Sequence, residues 1–194
     1  MIVAGPPEIS LPELEGLACR ARGQIQRLYL HWTAGRYGQF FSDYHLNIGG
    51  GGEIFQTCVS LTERKAHTWR RNTGAVGIAL CCAYGAFLDA DGEPVYPQGF
   101  EPTQAQVAKL AAVIAVLCKG MGLPPDAAHV ATHCEVAELD GYGPGSGDAD
   151  LRWDLAWLPD ARGILQPGGR LLRQLAREYE EVKNTTKGGE IYVR

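Results

Sequence analysis

Five histidines, His31, His45, His67, His129 and His133, and a cluster of carboxylates after the last of them are the side chains of this 194-residue chain best suited to metal chemistry. A catalytic zinc takes three protein ligands of His, Asp, Glu or Cys type and keeps its fourth position open. His129 and His133 have the four-residue spacing found in zinc motifs, but a strand produces that spacing too, so spacing alone does not choose among the five. Cys134 beside His133 raises a second chemistry, a thiol nucleophile with an imidazole base. Neighbours in a strand point to opposite faces, which argues against that dyad.

These residues must be positioned by the elements around them. Arg27-Leu28-Tyr29-Leu30-His31-Trp32-Thr33 is rich in strand formers, and alternation puts Leu28 and Leu30 on one face with Tyr29, His31 and Thr33 on the other. Residues 44–48 and 53–57 flank four glycines, Gly49 to Gly52, and read as a hairpin. The apolar run 76–83 suits a strand covered on both faces. Ser10 with Glu13, and Thr103 with Gln106, are capping boxes that open helices over about 11–21 and 103–121. In the second helix Val107, Leu110, Ala111, Ile114, Leu117, Cys118 and Met121 follow the i, i+3, i+4 pattern. A short strand over 128–132 follows, then a loop rich in Gly and Asp over 140–150. A last helix aligns Leu172, Leu175, Tyr179 and Val182. The polar tail from Asn184 carries one strand-like stretch, Ile191-Tyr192-Val193. Strands interleaved with helices predict an α/β or α+β architecture, a central mixed sheet flanked by helices in a single domain.

Composition narrows the function. Hydrophobic residues make up 45% and charged residues 21%, which excludes disordered and fibrous classes. A net charge of -4 offers no basic footprint for nucleic acid. The start, Met-Ile-Val-Ala-Gly-Pro-Pro-Glu, lacks the pattern of a secretory signal, so synthesis in the cytosol is expected. No apolar run approaches the roughly 18 residues of a membrane helix, so membrane insertion is not expected. The six cysteines are scattered, and reduced, mostly buried thiols are expected.

Several short motifs occur in order: His31-Trp32-Thr33-Ala34-Gly35, Tyr44-His45-Leu46, Gly50-Gly51-Gly52-Glu53-Ile54-Phe55, Ala66-His67-Thr68, Asn72 before Gly77-Ile78, and Thr132-His133. The ordered set, from about residue 26 to 157, resembles the type-2 N-acetylmuramoyl-L-alanine amidases, the family shared by phage endolysins, muropeptide-recycling amidases and peptidoglycan recognition proteins. Residues 166–194 form a C-terminal helix and tail beyond the match. The resemblance implies a zinc ion held by His31, His133 and an Asp or Cys shortly after the second histidine. In that pattern the third ligand lies five residues before an aromatic-Asp pair, and counting back from Trp153-Asp154 lands on Asp148, with Asp150 as the competing choice.

The same resemblance makes Tyr44 a catalytic side chain beside the metal, and places His67 and Asn72 near the substrate groove, with Trp69 as a surface for stacking a sugar. Many family members carry a Lys two residues before the third ligand; counted from Asp148 that position is Ser146, which leaves Tyr44, Arg152 or the metal to stabilise the oxyanion. The implied reaction is hydrolysis of the amide between N-acetylmuramic acid and L-alanine in peptidoglycan, with zinc polarising the carbonyl and activating water. An endolysin acting on the cell wall is the favoured setting. The alternatives are a non-catalytic peptidoglycan-binding module and a cytosolic amidase that recycles soluble anhydromuropeptides. Stem-peptide type and oligomeric state are not encoded in any of these motifs.

Overall fold

Capping chemistry sets where the helices begin. In the computed structural model, which describes residues 1–146 and 152–188, the order is β1 (Ile2–Val3), α1 (Leu11–Arg20), β2 (Arg27–Trp32), β3 (Phe40–Phe41), β4 (Leu46–Ile48), β5 (Ile54–Gln56), β6 (Ala75–Leu80), β7 (Phe87–Leu88) and β8 (Pro94–Val95). It continues with α2 (Gln104–Met121), β9 (Val130–Thr132), α3 (His133–Leu139), a 3-10 turn at Pro144–Ser146, β10 (Trp157–Pro159), β11 (Leu165–Pro167) and α4 (Gly168–Gly188). Ser10 with Glu13, Thr103 with Gln106 and Thr132 with Glu135 each form a complete capping box, closing orphan N–H groups at the starts of α1, α2 and α3. Gly122 ends α2 in the left-handed conformation that glycine adopts without strain.

The central sheet has five strands in the order β5-β4-β6-β2-β9. β4, β6, β2 and β9 run parallel, and β5 joins antiparallel through the glycine turn predicted from the sequence. β6 is buried at every residue, as expected of a strand covered on both faces. From one face, Leu28, Leu30, Trp32, Leu46, Ile48, Val76, Ile78, Leu80 and Val130 join a core completed by Leu110, Ile114 and Leu117 of α2 and by α1 and α4. Gln106, fully buried, donates from Nε2 to the carbonyls of Ile48 and Cys81 at 3.0 and 3.1 Å, tying the start of α2 to the sheet. α2 is long and apolar enough by composition to cross a membrane, but 72% of it is buried in this core.

The opposite face is covered by α3, whose Val136 packs with Tyr29 and Ala75, and by the loop of residues 57–74. The expected strands and both early helices are present with ends shifted by one to three residues, whereas α3 and the three small two-stranded sheets are additional. α4 is tied to α3 by a bidentate pair from Arg173 to Glu135, both contacts at 2.8 Å. All six cysteines are unpaired; Cys81, Cys82 and Cys118 are buried, Cys19 is exposed, and Cys58 and Cys134 lie between. The strand-like stretch at 191–193 lies outside the described residues.

Candidate metal centre and substrate cleft

His31 is the fifth residue of β2 and points away from the aliphatic core, fully buried. β9 runs beside β2, and its last residue, Thr132, caps α3, so His133 begins that helix next to His31. Asp154 is brought in by a turn whose backbone is pinned from two sides. Its carbonyl accepts from the N–H of Cys134 at 3.4 Å, and the N–H of Ala156 bonds to the carbonyl of Trp153 at 2.9 Å. Trp153 packs edge-on against Trp32 with ring centroids 4.3 Å apart. After the turn, a Cβ on Gly168 would come within 2.0 Å of the Leu155 carbonyl, so only glycine lets α4 start there.

These elements place three donor atoms together. His31 Nδ1 and His133 Nδ1 are 3.2 Å apart, and Asp154 Oδ2 lies 3.4 and 3.2 Å from them. A tetrahedral zinc with bonds of about 2.0 to 2.1 Å would need ligand atoms about 3.3 Å apart. The triangle therefore has the size of one tetrahedral face, and its chemistry, two imidazoles and a carboxylate, suits zinc with a fourth position open to the cleft. This is the His/Cys/Asp/Glu group able to hold a metal among the described residues. Burial pushes the His31 imidazole down to about 4, keeping its lone pair available near neutral pH. Burial alone would raise the Asp154 carboxyl, but the His133 and His31 imidazoles beside it outweigh burial and hold the group well below the usual carboxylate range.

A cleft of about 460 Å³ opens onto these residues, lined among others by Tyr44, His67, His133, Arg152, Trp153 and Asp154. A larger groove of about 790 Å³ lies between α2, α4 and the β10–β11 hairpin, and contains none of the three donors. Tyr44 stacks beside His31 at 5.1 Å between centroids and donates its hydroxyl to the Trp32 carbonyl at 3.3 Å. Burial lifts its phenol well above the ordinary range, so it stays a neutral hydrogen-bond donor. His67 sits over Gly77, where any Cβ would lie 2.5 Å from its ring. Trp69 is 56% exposed, with Arg70 stacked on it at 4.2 Å and the Tyr142 ring 5.5 Å away. Asn72 braces its own loop, accepting from the N–H groups of His67 and Thr68 at 3.1 and 2.8 Å.

The structure thus unites His31 and His133 as expected, with Tyr44 and His67 on the same cleft. Asp148 and Asp150, the sequence-based choices for the third ligand, lie outside the described residues. Asp154, read from the sequence only as half of the aromatic-Asp pair, supplies the carboxylate at the triangle. One signal could have pointed to it: Arg152 stands two residues before Asp154, the spacing at which the family carries its Lys. His129 belongs elsewhere, its Nδ1 2.7 Å from Asp126. His45 is a support for the sheet face, accepting from Gly77 N–H at 3.0 Å and donating to the Glu63 carbonyl at 2.8 Å.

Cys134 follows His133 in a helix and not in the expected strand, so strand alternation does not separate the two side chains. It still lines a separate cavity, with Leu88, Pro144 and Trp157, that His133 does not reach. Burial pushes its thiol up to about 12, so no thiolate is available for a dyad at neutral pH.

Among known proteins, no curated protein matches the chain. A solved complex of the ectodomains of peptidoglycan recognition proteins LCa and LCx with tracheal cytotoxin is similar at 15% identity, over 66% of this chain and 79% of that one, with a TM-score of 0.42. The family model described as N-acetylmuramoyl-L-alanine amidase matches residues 21–146, a span that contains β2, the whole central sheet, α2, α3 and both histidines of the triangle. By that match the chain belongs to the N-acetylmuramoyl-L-alanine amidase family.

Proposed function

We propose that the protein is a zinc-dependent amidase that hydrolyses the bond between the lactyl carbonyl of N-acetylmuramic acid and L-alanine in peptidoglycan. The observation that carries the reading is the triangle of His31 Nδ1, His133 Nδ1 and Asp154 Oδ2, with edges of 3.2 to 3.4 Å, in which His133 and Asp154 line an open cleft and His31 is buried beside them. Zinc, when bound there, supplies Lewis acidity toward the amide carbonyl and lowers the pKa of water toward about 7. The chain does the rest. His31 and His133 offer imidazole nitrogens and Asp154 a carboxylate, a donor set with a single negative charge that would leave a bound zinc net positive toward the carbonyl oxygen. Tyr44 and Arg152 line the same cleft; Arg152 can donate a hydrogen bond to that oxygen, and Tyr44 can do so by releasing the Trp32 carbonyl. With Asp154 as third ligand, Arg152 takes the place of the family's Lys, and Ser146 no longer has to be read as a departure.

The exposed Trp69, with Tyr142 beside it, supports a substrate that extends beyond the cleft, as a glycan strand does. The proposed setting is accordingly an endolysin of a phage or prophage, made in the cytosol and acting on the wall. A recycling amidase would prefer soluble anhydromuropeptides, and a binding module would retain sacculi without cutting them.

Digestion of purified sacculi, with and without a chelator, tests the reading. New N-terminal alanine that disappears on chelation and returns with zinc is expected; new reducing sugar in its place would mark a glycosidase and overturn the assignment. Zinc content of Asp154→Ala, Asp148→Ala and Asp150→Ala settles the third ligand. Loss in Asp154→Ala alone is expected. Loss confined to Asp148→Ala or Asp150→Ala would move the ligand back into the loop.

A further inference from the structure

We infer that Thr68 is a positioning residue that fixes the tautomer of His31, so that a lone pair and not an N–H faces His133 and Asp154. The inference rests on the zinc reading above. A neutral imidazole carries one proton, on either nitrogen. If His31 carried it on Nδ1, it would donate to Asp154 and leave no lone pair for a metal. With the proton on Nε2, Nδ1 is free, but a buried N–H then needs an acceptor. Thr68 Oγ1 is that acceptor, 3.3 Å from His31 Nε2.

The hydroxyl completes a directional chain. Thr68 has one proton to give, and His67 Nδ1 lies 2.9 Å from its oxygen. With the zinc reading fixing the direction, the hydroxyl accepts from His31 and donates to His67, which puts the His67 proton on Nε2, a buried atom without a hydrogen-bond partner among the described residues. Thr68 is 1% exposed, so water does not compete for its hydroxyl. Its loop is braced independently of any metal. Asn72 holds the backbone of His67 and Thr68, and Arg71 makes a bidentate pair with Asp140 at 2.6 and 2.5 Å. Asp140 caps the C-terminal end of α3, the helix that His133 begins. The loop that orients one ligand is therefore fastened to the helix that carries the other.

Loss of a partner that orients a metal-bound histidine typically weakens metal affinity 10- to 100-fold. Thr68→Val keeps the shape and removes the hydroxyl. Two measurements follow: zinc affinity of the whole chain by competition with a chromogenic chelator, and the His31 tautomer by 15N NMR on the metal-free protein. Expected are zinc binding about 10- to 100-fold weaker, a gain of the Nδ1–H form of His31, and restoration of both by Thr68→Ser. Wild-type affinity and an unchanged tautomer in Thr68→Val would overturn the inference, even if its melting temperature fell. Should valine prevent folding, Thr68→Ala is read by the same two measurements. A wild type that takes up no zinc would sink the metal reading, while the tautomer comparison, made without metal, still decides the role of Thr68.

Discussion

On one face of the five-stranded sheet, β2 contributes Leu28, Leu30 and Trp32, β4 contributes Leu46 and Ile48, and β6 contributes Val76, Ile78 and Leu80, all packed against α1, α2 and α4. The residues between them face the other way: Tyr29 and His31 from β2, Asn47 from β4, Gly77 and Ala79 from β6. The first face is aliphatic and dry. The second is a hydrogen-bonded network in which Asn47 clasps the backbone of Phe41, His45 bonds to Gly77 and Glu63, and Thr68 joins His31 to His67. Because side chains alternate with period 2, adjacent residues can answer to different demands, burial on one side and chemistry on the other. The small residues belong to the second face for a reason. Gly77 leaves the space that the His67 ring occupies.

Substitutions on the two faces should therefore separate function from stability. The largest effect is expected for His31→Ala and Asp154→Asn, which remove corners of the donor triangle: amidase turnover falls to background and bound zinc is lost, while cooperative unfolding of the metal-free protein persists. Metal analysis beside a sacculus assay checks both parts, and retained turnover in either variant would break the assignment. Arg152→Ala leaves the triangle intact but withdraws a donor from the cleft. Loss of one oxyanion donor commonly costs about 10²- to 10³-fold in kcat. Steady-state kinetics should place the loss in kcat, with zinc content unchanged; a loss only in KM would make Arg152 a binding residue.

The neighbours Gly77 and Ile78 sharpen the contrast, since they are consecutive on β6 and face opposite ways. Ile78 is fully buried in the aliphatic core, and Ile78→Ala should cost about 2–5 kcal/mol of stability. At this chain length that corresponds to roughly 2–4 °C of melting temperature for each kcal/mol. Activity of the folded fraction should survive. Gly77→Ala is the smaller insult, about 1–3 kcal/mol for an overpacked site, but its methyl meets the His67 ring and should disturb the Thr68 contact and zinc affinity. Equal loss of zinc affinity in the two variants would abolish the proposed division of labour between the faces.

Much of this division is written in the sequence, because alternation and capping are local. The split of Leu28 and Leu30 from Tyr29 and His31 follows from strand periodicity alone, and Thr103 with Gln106 marks the start of α2 within a residue. α3 carried the same kind of signal, Thr132 followed by Glu135, masked because the residues before it read as a strand and the helix has only seven residues. Asp154 was harder. Its place depends on a turn held by Cys134 N–H, by Trp32 packing on Trp153 and by the absence of a side chain at Gly168, contacts that join residues far apart in sequence. The role of Thr68 was invisible for the same reason, since nothing within its own loop predicts that its hydroxyl meets a histidine 37 residues earlier.

The last expected effect is a pH dependence of stability that only the polar face can produce. Burial is the main cause that pushes His45 down to about 4, with Lys65 adding to it and the Glu63 and Gly77 backbone contacts opposing it. In the unfolded chain the same histidine titrates near its ordinary value of about 6.5. Between these values the unfolded state binds a proton that the folded state refuses. Stability is thus fully present above about pH 6.5 and is lost as the pH falls toward 4, with a slope of up to about 1.4 kcal/mol per pH unit for one histidine. His67, held at about 2 chiefly by burial and then by neighbouring histidines, contributes in the same direction. Denaturant unfolding of the metal-free protein at pH 7.5, 6.0 and 5.0 stays above the range where carboxylates dominate, so the slope reports the histidines. His45→Gln should remove about one proton from the slope, whereas Ile78→Ala should shift the whole curve down without changing its steepness. If His45→Gln left the slope intact, the imidazole would be titrating freely in the folded state, and the network on the polar face would be looser than its hydrogen bonds require.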